Sequence, residues 1–484
     1  MRLVVIVSSH SLILALAAVL SAHLSAAAPN GASNDRPAAD QAEPAGNAVE
    51  WTFDVLELQD GTRYQGLVLA DREAEIDFAE IFRPPGKPMF AVIRPVVPGQ
   101  VAKKTLTSGA DRDRLAARFQ QFRNRARIEA GRMENVTLRK AAGEAGQFWT
   151  YEGPWFRLES TADETMVRRC VVRAEQIFRA YRQLLPPAHQ QRTGLRLLIF
   201  GSTDEYQRHL SEYGLTFASP AWFSQARNLV VAGGELNSFN RRLQQTQSQN
   251  EEVRRQYKML RSSFSSRLAA VIDQMKQRGY TSAQIEQEVK LRSAAWQREY
   301  DEALSRLDLA AAQNEAAFAK VTGQMFAQLY HEAFHAYVEN YVCAEDGRAF
   351  PLWLNEGMAQ IFETGQIEAD SLRIDAPDRK RLAELKNDLR GERPLTIQEI
   401  LLADEQRFLN PASNRSAQRY YLYSWGLAYY LVFDQNRFRP DVLDAFLRNA
   451  DDFGPAARFT RLVDMPIAKF ERLWREAVLA MRPF

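Results

Sequence analysis

The pentapeptide His331-Glu332-Ala333-Phe334-His335 constrains this chain more than any other stretch of it. At about 3.6 residues per helical turn, side chains four positions apart lie one above the other, so both imidazoles share one helix face. Two nitrogen donors are thereby offered side by side to a zinc ion, with the Glu332 carboxylate next to them. The chain has six histidines in 484 residues, which makes a chance pairing of this form uncommon.

A catalytic zinc takes three protein ligands and keeps one position open, and two histidines with a glutamate are a standard set. The segment Pro351-Leu-Trp-Leu-Asn-Glu356-Gly-Met-Ala-Gln-Ile-Phe-Glu363 places Glu356 twenty-one positions beyond His335 (356 − 335). Its apolar positions, Leu352, Met358, Ile361 and Phe362, predict a second helix packed against the first. H-E-x-x-H followed by W-L-N-E-G-x-A resembles the gluzincin metallopeptidases, in particular the peptidase-MA-like branch. The matching residues are His331, Glu332, His335 and Trp353 through Ala359. The resemblance extends more loosely over about residues 148 to 235 and 323 to 440.

That resemblance implies an α+β, zincin-like domain with a mixed-sheet half and a helical half. It implies one Zn²⁺ held by His331, His335 and Glu356. Glu332 would be the general base that takes a proton from water and returns it to the leaving amine. The oxyanion needs a further donor. The tyrosine-rich run Tyr420 to Leu431 is the place to seek it, and aligned on Ser424 the family's motif tyrosine is Tyr421, with Tyr420 and Tyr423 as substitutes. Some gluzincins carry an acid four residues after the glutamate ligand; here that position is Gln360, whose amide oxygen would accept from an imidazole N–H. Asn355 and Glu363 have two readings, support for the site or capping and solvation of the helix, and the second is preferred. By the same resemblance, a strand at the cleft edge would bind peptide backbone, and Leu229-Val230-Val231 is the candidate. No aminopeptidase-type G-x-M-x-N motif is present, which favours an endopeptidase. Two other readings stay open: a metal-binding but inactive scaffold, and a zinc hydrolase acting on bonds other than peptides.

The length predicts two to four domains. A formal net charge of +2 supplies no large field for nucleic acid or anionic membrane, so neither is expected as a partner; a peptide or protein substrate is what the resemblance implies. Residues 1–28 read as a signal peptide: Arg2, an apolar core from Leu12 to Leu20, then Ser25-Ala26-Ala27-Ala28. A secreted or periplasmic protein is expected; the alternative is an anchor left uncleaved. Cys170 and Cys343 read as two thiols, or as one bridge in an oxidising compartment.

Residues 29–48 form a polar linker. From 49 to 107, short β runs, with a hairpin at Asp60-Gly61, suggest a small SH3- or Sm-like β-barrel. A basic helical linker, rich in arginine, follows at 108–145. Residues 146–236 read as the α/β half. Residues 237–321 read as an inserted antiparallel helical hairpin, coiled-coil-like, with its bend at Arg278-Gly279-Tyr280 and a capping box at Thr281 and Gln284. It would sit over the active-site mouth or serve as an arm for association. Residues 322–484 would be the helical catalytic half. A binding role for the β-barrel or the hairpin is also open.

Overall fold

A computed structural model describes residues 52–82, 90–123, 125–143, 146–188, 194–215, 219–343, 350–368, 371–374, 378–408, 415–435, 440–448 and 454–482. The signal peptide and polar linker expected at 1–48 lie outside the described residues. The architecture is mixed α and β, with two sheets and a predominantly helical C-terminal part. Asn237–Gly323 forms one compact unit; Ala45–Leu236 together with Gln324–Phe484 forms the other.

In the larger unit, the first sheet has seven strands: β1 (Asp54–Leu58), β2 (Arg63–Asp71), β3 (Ile76–Phe82), β4 (Phe90–Val96), β5 (Val101–Thr105), and later β12 (Gln366–Glu368) and β13 (Ser371–Ile374). The expected hairpin is there. Gly61 adopts φ +85, a conformation that favours glycine, and Thr62 N–H donates to Asp60 Oδ1. Asp54, buried in β1, accepts from Val68 N–H and from the Thr107 amide and hydroxyl, so a charged residue stitches the sheet together.

No barrel closes among the described residues, which corrects the SH3- or Sm-like expectation. The order is β12-β13-β4-β3-β2-β1-β5, an open sheet. For the first five strands to close, β4 would have to meet β5. Its outer edge is instead taken by β13, paired in parallel through Leu372↔Phe90 to Ile374↔Val92. Arg94 of β4 also reaches into the helical part. Its guanidinium pairs with Glu80 and donates to Asp434 Oδ1 at 2.7 Å and Phe433 O at 2.8 Å. The cation is thus buried among compensating acceptors.

The second sheet runs β10-β11-β9-β8-β7-β6, with β6 (Arg139–Gly143), β7 (Gly146–Glu152), β8 (Arg157–Ser160), β9 (Arg196–Phe200), β10 (Ala221–Ser224) and β11 (Leu229–Gly233). β8, β9 and β11 are parallel; β10 is antiparallel to β11. The expected cleft-edge strand, Leu229–Val231, is therefore interior, paired on both sides and fully buried. The edge belongs to β10.

The Glu164–Leu184 helix turns Val167, Val171, Ala174, Phe178 and Tyr181 inward. Tyr181 meets Phe334, Tyr337 and Phe362 at ring separations of 4.7 to 5.5 Å, which forms the aromatic floor beneath the histidine helix. Two phenols fix the spacing: Tyr181 Oη donates to Tyr330 O, and Tyr337 Oη donates to Leu185 O, both at 2.5 Å.

The smaller unit holds the Leu236–Gln277 helix and the first part of the Ser282–Tyr337 helix. Gly279 turns the chain at φ +80, and Thr281 and Gln284 exchange the reciprocal bonds of a capping box. Tyr257, Trp296 and Tyr300 are its buried core, with Phe264 stacked on Trp296 at 5.4 Å.

Candidate metal centre

The end of the Ser282–Tyr337 helix carries His331 and His335, whose rings meet edge-on at 4.7 Å. Glu356 comes from the Leu352–Thr364 helix, which buries Trp353, Leu354, Met358, Ile361 and Phe362. Gly357 lets that helix approach the Arg415–Tyr429 helix. A Cβ there would stand 2.4 Å from Ser424 O, so only glycine fits the crossing.

The three expected ligands converge. Their donor atoms all lie within 4.8 Å of one another. Glu356 Oε2 is 3.3 Å from His331 Nε2, and Oε1 is 3.6 Å from His335 Nε2. Each ring is held from behind: His331 Nδ1 faces Glu363 Oε1 at 2.6 Å and His335 Nδ1 faces Asn355 Oδ1 at 3.0 Å. Both partners are acceptors, so each Nδ1 donates and, in the neutral ring, each Nε2 has the lone pair left to bind an ion beside Glu356.

Lone pairs and a carboxylate facing each other repel unless a cation lies between them. Glu356 Oε2 is buried, faces His331 Nε2 at 3.3 Å and makes no well-aligned hydrogen bond among the described residues, an expensive state for a carboxylate oxygen unless a proton or an ion lies there. Burial works against charge on His331, but the carboxylates of Glu356 and Glu363 hold its pKa well above the ordinary range. Burial likewise opposes the charge on Glu356, and His335 and His331 overcome it and lower the pKa. Everything around the centre calls for positive charge. The group can hold a metal ion, and its mixed nitrogen and oxygen donors suit zinc.

The orienting groups differ from the sequence reading. Gln360 does not face an imidazole; its Nε2 donates to Glu356 O at 3.1 Å and Tyr421 O at 3.0 Å, tying two helices together. Glu363 and Asn355 hold the rings, the less favoured of their two readings. Arg381, from the Arg379–Leu389 helix, pairs with Glu363 and donates to Gln360 O at 3.1 Å. Glu363 was legible after the fact: it follows Glu356 by seven positions, two helical turns, and so shares its face. Arg381 had no local signal.

Glu332 is half-buried beside the histidines, and Gln328 Nε2 donates to its Oε1 at 3.1 Å. Tyr421 is half-buried, with Phe408 edge-on to its ring at 5.1 Å. Its pKa is raised by burial first, then by the charges of Glu356, Glu332 and Glu363, so the phenol keeps its proton. The two substitutes are engaged elsewhere: Tyr423 Oη donates to Asp388 Oδ1 at 2.6 Å, and Tyr420 is buried against Phe408. A second phenol, unforeseen, comes from the sheet half. Burial, and after it the charge of Glu332, raises the Tyr206 pKa.

Residues 325–450 match a family described as "Protein of unknown function (DUF1570)", a domain associated with peptidase-like proteins. The match spans His331, Glu332, His335, Glu356, Glu363, Arg381 and Tyr421. No curated protein matches the chain.

Proposed function

We propose that this chain is an exported zinc metallopeptidase of gluzincin type. One observation carries the reading: the ring nitrogens of His331 and His335 and the buried carboxylate of Glu356 converge within 4.8 Å of one another, while Glu363 and Asn355 hold both rings from behind. His331, His335 and Glu356 would hold the ion. When bound, zinc supplies a Lewis acid and lowers the pKa of an attacking water to about 7.

The chain's own residues do the rest. Glu332 takes the proton of the attacking water and delivers it to the leaving amine. Tyr421, kept protonated by burial and three nearby acids, donates a hydrogen bond to the oxyanion. The edge strand β10 offers backbone groups to an extended peptide, in the manner of strand addition. Export rests on the N-terminal sequence pattern. Among the described residues no helix is long and apolar enough to cross a membrane.

The decisive experiment combines metal analysis with a peptide-mixture assay of the wild type and Glu332→Gln. About one zinc per chain is expected in both. Turnover in the variant should fall by about 10² to 10⁴. Full activity in Glu332→Gln would remove the assigned mechanism, and zinc without any turnover would favour a binding protein.

A further inference from the structure

The edge strand is pinned at both ends. At its start, Tyr206, buried at 1% exposure, donates from its hydroxyl to Ser219 O at 2.8 Å. Gly233 is packed so closely on Tyr206 that a Cβ would lie 2.5 Å from the tyrosine Cβ and 2.7 Å from its ring. At the far end, the turn after β10 docks on the π-helical turn Val338–Val342 that follows the histidine helix. Asn228 and Asn340 exchange amide hydrogen bonds at 2.9 and 2.7 Å, and Gln225 donates to Glu339 at 2.9 Å. β10 is therefore held at its start by Tyr206 and at its end by Glu339 and Asn340, just beyond the histidine helix.

Which backbone groups of β10 face outward follows from its register. Gly233 N–H donates to Pro220 O at 2.9 Å, and the pairing continues as Ala221↔Ala232, Trp222↔Val231, Phe223↔Val230 and Ser224↔Leu229. In an antiparallel ladder, bonded and non-bonded pairs alternate. Pro220, Trp222 and Ser224 thus turn their backbone groups toward β11, while Ala221 and Phe223 turn theirs to the open edge. The edge has two rungs.

One of them is already filled. Ser219 Oγ donates to Ala221 O at 2.8 Å and accepts from Ala221 N–H at 3.4 Å, so a single hydroxyl serves both outward groups of the first rung. We propose that Ser219 is a specificity-determining residue that plugs this rung, leaving an extended peptide the Phe223 rung alone. The inference rests on the peptidase reading and adds a length rule to it. Substrates gain affinity with length only until the Phe223 rung is filled.

The test uses the zinc-loaded full chain as wild type, Ser219→Ala and Ser219→Thr, with unstructured peptides of three to eight residues. Ser219→Ala should lower KM about two- to tenfold for peptides long enough to reach Ala221, with kcat and short-peptide KM unchanged. Ser219→Thr, which keeps the hydroxyl, should match the wild type. Hydrogen–deuterium exchange over 219–224 without peptide should be faster in Ser219→Ala alone. Identical length dependence or identical exchange in wild type and Ser219→Ala would overturn the plug. If no peptide is hydrolysed by the wild type, the peptidase reading and the length rule fall together, while the exchange difference still reports whether Ser219 caps Ala221.

Discussion

The Ser282–Tyr337 helix passes through two environments. Up to Gly323 it buries a narrow stripe, Trp296, Tyr300, Leu307 and Phe318 among others, and leaves much of its surface to solvent. From Met325 onward Phe326, Leu329, Tyr330, His331, Ala333, Phe334, Ala336 and Tyr337 are all buried. Both of the helix's histidines lie in the second stretch. The first stretch is specified by rules that act within a few residues: a hydrophobic period, a glycine bend, a cap. The second is specified by what surrounds it. An imidazole becomes a well-aimed ligand only when something holds its other nitrogen, and that something must come from another part of the chain.

Three substitutions sharpen or break the contrast. The largest effect is expected in the hairpin. Trp296→Ala removes its stacked core aromatic and should cost about 3 to 5 kcal/mol, read as faster hydrogen exchange over 237–323. Zinc content should not change, and a simultaneous loss of zinc would show that the two stretches are not independent. Next, Glu363→Ala should weaken zinc binding about 10- to 100-fold in chelator competition, because His331 loses the carboxylate behind it. Unchanged affinity would mean that the ring is oriented by packing alone. The smallest change is Thr281→Ala, which removes the cap of the second hairpin helix and should cost about 1 kcal/mol, again visible only in hairpin exchange.

The same contrast explains what could be read from the sequence. The hairpin, its bend at Gly279 and its Thr281–Gln284 cap were legible because each depends on neighbours in the chain. So was the convergence of His331, His335 and Glu356, since short-range spacing fixes two of the donors and a motif supplies the third. Asn355 and Glu363 were left between two roles, and Arg381 was missed, because their parts depend on how three helices pack. Gln360 sat at the expected position but turned to Tyr421 instead. The first sheet failed for a similar reason. Nothing near residue 90 announces that β4 will pair with a strand from residues 371–374, so five short strands looked like a self-closing barrel.

That pairing has a consequence for how the chain is made. Phe90 and Ser371 are 281 residues apart (371 − 90), so at about 5 to 20 residues per second a nascent chain exposes the β4 margin for about 14 to 56 s before its partner exists. During that interval the margin is an unsatisfied template that another copy can occupy. A translation product cut short before residue 371 would keep it open permanently. Such fragments should be the sticky species of this protein, whatever the state of their N-terminal strands.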